Sequence, residues 1–464
     1  MQEPRAFLQR AAAKTRDEEH RLKILKAIDT YTRVVEQRKH TQFRDWRQAR
    51  QLAARIKDDV LARLPELLQQ FEERITARGA RVFWAETAAE ARQYILDLVA
   101  RRQARVVVKS KSMTTEEIGL NEALQHAGVD VWESDLGELI VQVAGEKPYH
   151  IVTPAMHKNR EDVARLFHEK LGAPLTQDVE QLTMIAREHL RHAYVSAEIG
   201  ITGANFILAE EGAIVMTENE GNGRLTMACP PVHVVLVGLE KVLPSMRELA
   251  LFLPLLATSG TGQQITCYNS IVRGPRQPGE PDGPEEMHII LLDNGRTELL
   301  AQPEFQHVLR CIRCGACLNA CPVYRTIGGH TYNTPYQGPI GSVITPHLRG
   351  FRQWYHLPFA SSLCGACSDV CPVNIDLHHL LLWNRHRAVE REHTAAPGWR
   401  LAMKLWAWGM RRRKRIALLR PWLRLGTKLL LPLLPGAQRR RVPSMAEHSF
   451  ARLWRDHERQ KSHF

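Results

Sequence analysis

Nowhere in this 464-residue chain is there an unbroken apolar stretch of the roughly 20 residues that a membrane span requires. The longest candidates, Leu249–Ala257 and Leu429–Leu434, fall far short of that length. The opening segment MQEPRAFLQRAAAKTRDEEH lacks the apolar core of a secretory signal, so a cytoplasmic protein is expected. Nucleotide fingerprints are missing as well. Glu220-Gly-Asn-Gly-Arg224 fails the Gly-x-Gly-x-x-Gly pattern because position 226 is Thr, and no P-loop occurs. Without a nicotinamide site, reducing equivalents should arrive through a partner. Cysteine is scarce outside one region: seven of the nine lie between Cys311 and Cys371. In a reducing compartment that crowding suggests metal rather than disulfides. Cys229 and Cys267 stand alone and are expected to be small buried hydrophobes.

What is present reads as a globular protein, with 44% hydrophobic and 24% charged residues. The length suggests two to four domains at roughly 100–200 residues each. The net charge of +13 is localised. Residues 391–464 hold 18 Lys and Arg against 4 Asp and Glu, a net of +14, which leaves the rest near −1. Residues 1–77 show helical periodicity, as in Val60, Leu61, Leu64, Leu67, Leu68 and Phe71. From about residue 80 strands and helices alternate: strands at Val82–Trp84, Val106–Val108, Val129–Trp132 and His150–Thr153, helices at Ala88–Ala100, Thr115–His126 and Leu136–Val143. Such alternation predicts a largely parallel sheet covered by helices. Further strands are expected at Phe206–Ala209, Ala213–Thr217, Val234–Val237 and His288–Leu292, and an exposed loop over Arg273–Pro284. Helices are expected near Ile340–Arg349 and Leu377–Val389, and a linker at Ala395–Gly398.

The first cysteine motif, Cys311-Ile-Arg-Cys314-Gly-Ala-Cys317-Leu-Asn-Ala-Cys321-Pro322, is the C-x2-C-x2-C-x3-C-P run of bacterial-type cluster ferredoxins. Its spacing wraps a tight loop around one cube, the glycine admits the backbone close to the cluster, and the proline turns the chain away. The second motif, Cys364-Gly-Ala-Cys367-Ser-Asp-Val-Cys371-Pro372, repeats the last three cysteines, with Ser361 where the first belongs. In two-cluster proteins the fourth cysteine ligates the other cluster. Cluster 1 would then take Cys311, Cys314, Cys317 and Cys371, and cluster 2 would take Cys321, Cys364 and Cys367, one ligand short. The shortfall admits a three-iron cluster, a four-iron cluster whose last iron takes oxygen from Ser361, water or a partner, or a substrate-facing iron. Zinc is the competing metal, but zinc ribbons use separated C-x2-C pairs rather than this repeated run.

The segment Ile201-Thr-Gly-Ala-Asn-Phe-Ile-Leu-Ala-Glu-Glu-Gly-Ala-Ile-Val-Met-Thr-Glu-Asn-Glu-Gly-Asn-Gly-Arg224 resembles the signature of the lactate-utilisation (LUD) domain. Followed by a dicluster module and a basic tail, it resembles the family of L-lactate utilisation iron–sulfur subunits. The resemblance implies an α/β fold. An LUD domain of the sugar-phosphate isomerase and CoA-transferase-like kind would span 78–300, after a helical N-terminal extension over 1–77. A mainly helical dicluster iron–sulfur domain would follow over 301–390, and a basic, Trp-rich helical tail over 391–464. It also implies two [4Fe-4S] clusters and a role in electron transfer rather than catalysis within a system oxidising L-lactate to pyruvate. The implied partners are a cysteine-rich redox subunit and a smaller LUD-domain protein. The alternative is a redox enzyme whose LUD domain carries a catalytic site for another small organic acid.

Asn205, Glu210, Thr217, Asn219, Glu220 and Arg224 are the polar candidates in the LUD segment, for a structural turn or for an anion contact. Lys109-Ser-Lys-Ser112 follows a strand and could line a pocket at its C-terminal end, or be a solvated loop. His157, His378 and His379 are expected to be hydrogen-bonded rather than metal-ligating. The tail holds Trp399, Trp406, Trp408, Trp422 and Trp454, with the basic run Arg411–Arg415. Packing on its own body, docking on an acidic partner, and peripheral contact with an anionic membrane surface all suit it, whereas nucleic acid is not an expected partner.

Overall fold

The computed structural model describes residues 2–394, 397–412, 415–416, 418–419, 421–422, 425–426 and 446–461. The chain divides into two compact units, Met1–Glu392 and His393–Phe464.

The first unit opens with four helices, Gln2–Arg16, Glu18–Gln42, Trp46–Ala62 and Leu64–Thr76. Asp17 and Asp45 start the second and third by accepting the amides of His20 and Gln48, which answers donors a helix start leaves open. The apolar stripe from Val60 to Phe71 is buried, as its spacing predicts.

The strands are β1 (Arg81–Ala85), β2 (Val106–Lys109), β3 (Asp130–Glu133), β4 (Ile199–Thr202), β5 (Phe206–Leu208), β6 (Ala213–Glu218), β7 (Val232–Gly238), β8 (Val242–Leu243), β9 (Tyr268–Val272) and β10 (Glu286–Leu292). Six form a sheet in the order β1-β10-β7-β4-β2-β3, and every pairing is parallel. Its central strand β7 is buried at all seven positions, which explains a run of Val and Leu without alternation. β8, β5, β6 and β9 form a second, mixed sheet. The C-terminal ends of β2, β4 and β7 lie side by side, so the segments after Lys109, Thr202 and Gly238 converge.

Three expectations are corrected. The helix expected over Thr115–His126 is two, Met113–Glu117 and Leu120–His126, divided by Gly119 at φ 64°. His150–Thr153 is not a strand: the His150 ring accepts the Val152 and Thr153 amides, and this local alternative competes with a sheet ladder. Cys229 and Cys267 are exposed, not buried, because each falls just outside a regular element rather than on its inner face.

Gly212 ends the β5–β6 turn at φ 56°, where an added Cβ would lie 2.7 Å from the Arg74 carbonyl carbon. Gly212→Ala is expected to cost about 1–3 kcal/mol through strain and overpacking. An unchanged thermal midpoint would contradict this.

The cysteine region follows as short helices, with longer ones at Gly338–Arg349 and Leu377–Glu390. In the second unit, Pro397–Met410 and Phe450–Lys461 are helical, and Trp399, Trp406, Trp408, Trp422 and Trp454 are all at least half exposed. Ala395, Ala396, Arg413, Lys414 and the run Leu429–Leu434 lie outside the described residues. No described helix is long and apolar enough to cross a membrane.

Candidate iron–sulfur centre and adjoining pocket

The two cysteine motifs fold alike. In each, a left-handed residue (Arg313, φ 61°; Leu363, φ 55°) precedes a cysteine and a left-handed glycine (Gly315, φ 80°; Gly365, φ 84°). A short helix then carries the next cysteine, Ala316–Ala320 with Cys317 and Ala366–Asp369 with Cys367. The likeness extends to the position where the second motif lacks its cysteine. The Arg313 amide donates to Cys311 Sγ at 3.4 Å, and the Leu363 amide donates to Ser361 Oγ at 3.1 Å. Ser361 thus points its oxygen where the first motif points a sulfur.

The thiols fall into two neighbourhoods. Burial pushes the Cys314 and Cys317 thiols up, and the nearby Cys311 and Cys371 push them further. Cys371 is raised to about 11 by burial, with Cys311 adding to it. Cys321 is raised by burial and by Cys364, and Cys367 is pushed up to about 12 by burial and then by Cys321 and Cys364. Cys364, at the surface, is lowered by hydrogen bonds from the Ala366 amide and Ser362. Buried thiols of this kind become thiolates only when a cation replaces their protons. Soft sulfur donors together with amides aimed at Cys311, Cys321 and Cys371 fit an iron–sulfur cluster. The motifs are clamped to the N-terminal helices. Arg50 donates to the carbonyls of Cys371 and Ser368 at 2.7 and 2.9 Å, and Arg310 to both oxygens of Asp58.

Beside Cys314 opens a cavity of about 400 Å³. Ser110, Lys111 and Ser112 reach it from the end of β2, Asn205 from beyond β4, Thr217, Asn219 and Glu220 from β6 and its turn, and Glu240 and Lys241 from the turn after β7. Arg313, Cys314 and Tyr336 close it from the cluster side. Beneath it runs a buried ion network. Arg296 donates to Glu240 at 2.6 Å and to both oxygens of Glu117 at 2.9 and 2.8 Å. Tyr336 donates to Glu117 at 2.6 Å, and Arg313 pairs with Glu240 at 3.3 Å while stacking 4.4 Å over the Tyr336 ring. Burial alone would raise Glu240, but Arg296, Arg313 and Lys241 outweigh it and hold the carboxyl at about 2. On the pocket rim, loss of water around its carboxyl and the adjacent Asp135 push Glu220 up to about 7. Glu220 as a whole residue is nonetheless exposed, and solvent screens the effect.

Of the residues singled out in the sequence, Ser110, Lys111, Ser112, Asn205, Thr217, Asn219 and Glu220 line this cavity. Lys109 does not: it is wholly buried and paired with Glu133 at 2.7 Å. Glu210 is exposed elsewhere, and Arg224 lies over the Tyr268 ring. The Gly221-Asn222-Gly223 turn starts a short helix whose amides at Gly223 and Arg224 are taken by the chain's own Glu218, so it offers no free anion seat. His157 bonds Glu146 at 2.6 Å, and His378 and His379 gather on Asp376. Sequence reasoning missed Lys241, Glu240, Arg296, Arg313 and Tyr336. Glu240 and Lys241 follow a parallel strand, and Arg313 sits inside the first cysteine motif, which were the available signals.

The LUD domain family matches residues 68–292, and the 4Fe-4S dicluster domain family matches residues 307–375. The chain is 47% identical over 366 residues to lactate utilization protein B of Bacillus licheniformis, covering 79% of this chain and 76% of that protein. It is 48% identical over 366 residues to lactate utilization protein B of a Geobacillus strain, covering 79% and 77%. It is 47% identical over 363 residues to the uncharacterized electron transport protein YkgF of Escherichia coli, covering 78% and 76%. A crystal structure of a DUF162 family protein from Deinococcus radiodurans aligns with a TM-score of 0.28 and 16% identity over 49% of this chain and 98% of that one.

Proposed function

This chain belongs to the lactate utilization protein B family, and we propose that within it the protein passes electrons through two [4Fe-4S] clusters in a system oxidising L-lactate to pyruvate. The observation that carries the reading is the pairing of thiol neighbourhoods. Cys371 lies among Cys311, Cys314 and Cys317, and Cys321 among Cys364 and Cys367. Those sets are the ligands proposed for clusters 1 and 2. Bound there, the clusters would supply one-electron steps; the chain's own part is to orient the sulfurs, exclude water and set the potential through amide hydrogen bonds. Anaerobic purification should give a brown protein with about eight irons and matching sulfide, reducible in paramagnetic resonance. A colourless or zinc-only preparation would reject the proposal.

Cluster 2 has three thiolates, and Ser361 supports an oxygen ligand or a nearby open iron because its Oγ takes the place of Cys311 Sγ. Ser361→Cys should add a fourth thiolate and lower the potential of one cluster, since added negative charge favours the oxidised state. A redox titration showing both potentials unmoved would remove Ser361 from the coordination sphere.

The same proposal takes the chain in four parts, 1–77, 78–300, 301–390 and 391–464. It assigns a cysteine-rich redox subunit and a smaller LUD-domain protein as partners, in the cytoplasm, and gives the Trp-rich basic tail contact with a partner or a membrane surface.

A further inference from the structure

We infer that Glu146, His157 and His330 form a binding site for a divalent transition-metal ion of the zinc class, one that uses no cysteine. A donor atom from each residue lies within 4.8 Å of those from the other two. The fold gathers them from separate places. Glu146 follows the helix Leu136–Val143, His157 precedes the helix Arg160–Leu171, and His330 lies between the two cysteine motifs. Ligands of a tetrahedral zinc, each about 2.0–2.1 Å from the metal, stand about 3.4 Å apart. Side-chain movements of about an ångström would therefore close the site around an ion. Glu146 and His330 also line a cavity of about 1100 Å³, which gives the ion a path from solvent.

The two rings are held as ligating imidazoles are held, each with one N–H tied to an acceptor. His330 Nε2 donates to the Lys147 carbonyl at 2.7 Å, and His157 Nε2 donates to Glu146 at 2.6 Å. Each neutral ring then keeps its lone pair on Nδ1. The His157 side chain is only 9% exposed, and its Nδ1 is buried with no hydrogen-bond partner among the described residues. A buried nitrogen left unanswered is costly, and a cation would answer it. Tyr149 stacks on the His157 ring at 4.7 Å and fixes its plane. Burial holds His157 at about 4 and His330 below its ordinary value, with Lys158 adding to both and Lys14 to His330. Both rings are thus neutral, the form that binds metal. Lys158 bonds the other oxygen of Glu146 at 2.8 Å and already offsets its charge. Nitrogen donors rather than excess negative charge must select the ion, which favours zinc over magnesium or calcium. The competing role is a plain hydrogen bond between His157 and Glu146. Asp376, His378 and His379 also have donors within reach of one another, but none of their atoms is buried without a partner, so they serve as the control.

Zinc titration of the anaerobic holoprotein, after dialysis against a chelator and with iron and sulfide counted in the same samples, separates the two roles. One zinc per chain is expected beyond the irons, with nitrogen and oxygen neighbours and no sulfur in its X-ray absorption spectrum. Magnesium should not compete with it. His157→Gln should weaken zinc binding at least about 100-fold, and His379→Gln should leave it unchanged. If His157→Gln fails to fold, Glu146→Gln at the exposed edge should still weaken zinc about tenfold or more. Full clusters with no added zinc, zinc bound to sulfur, or zinc kept at full affinity by His157→Gln and Glu146→Gln would overturn the inference. Nitrogen-bound zinc that is lost in His157→Gln, in a protein without clusters, would defeat the electron-transfer reading and leave this site standing.

Discussion

Arg296→Met is expected to lower folding stability by about 3–5 kcal/mol, because it strands two buried carboxylates that share one guanidinium. Arg296 and both partners, Glu117 and Glu240, have side chains no more than 3% exposed. Of its ion pairs, Glu240 would keep only the longer one, with Arg313 at 3.3 Å. Arg296→Lys should recover only part of the loss, as an ammonium cannot present the planar fork that bonds Glu117 twice. The pH dependence follows from Glu240, whose folded value of about 2 lies below its ordinary 4.5. Its stabilising contribution is full above 4.5 and is lost as the pH falls through about 2. Anaerobic denaturant titration from pH 7 downward should show the wild type weakening in that range, and Arg296→Met weakened already at pH 7. Equal midpoints for the two proteins at pH 7 would show that the network adds nothing to stability.

Cys371→Ala should abolish the cluster of the first motif and leave that of the second, although Cys371 belongs to the second motif. Its thiol interacts electrostatically with those of Cys311 and Cys314. Cys321→Ala should do the reverse, because its neighbours are Cys364 and Cys367. Each variant should hold roughly half the wild-type iron. The decisive comparison is spectral. The cluster left in Cys371→Ala should match the one left in Cys314→Ala, and the one left in Cys321→Ala should match that in Cys367→Ala. If Cys371→Ala instead resembles Cys367→Ala, each motif serves its own cluster and the crossed assignment is wrong.

Much of this protein was legible in the residue order. The run from Cys311 to Pro322 and its repeat at Cys364–Pro372 pointed to cluster ligation, because the requirement that thiolates surround a compact cube acts over a few residues. Ser361 was recognisable as the odd position for the same reason, and the amide bonds at Cys311 and Ser361 show how closely the two loops correspond. Val234–Val237 was legible as a strand, and its burial at every position is a finding of the fold. Local signals misled where a side chain served its own backbone, as His150 does. They also misled at Cys229 and Cys267, which fall just outside a regular element and are exposed.

By itself the amino-acid order determined the periodicity of helices and strands, the ligand spacing and the localised charge, all of which are short-range properties. Only the folded chain decided that Lys241 and Arg313 share a cavity with Asn205 and Glu220, and that one arginine joins Glu117 to Glu240. Those partners are tens to hundreds of positions apart, with 179 separating Glu117 from Arg296 and 219 separating Glu117 from Tyr336. Electrostatic pairing across such separations leaves no period in the sequence, because it arises only when the ends of parallel strands and the cysteine loop are brought together by packing.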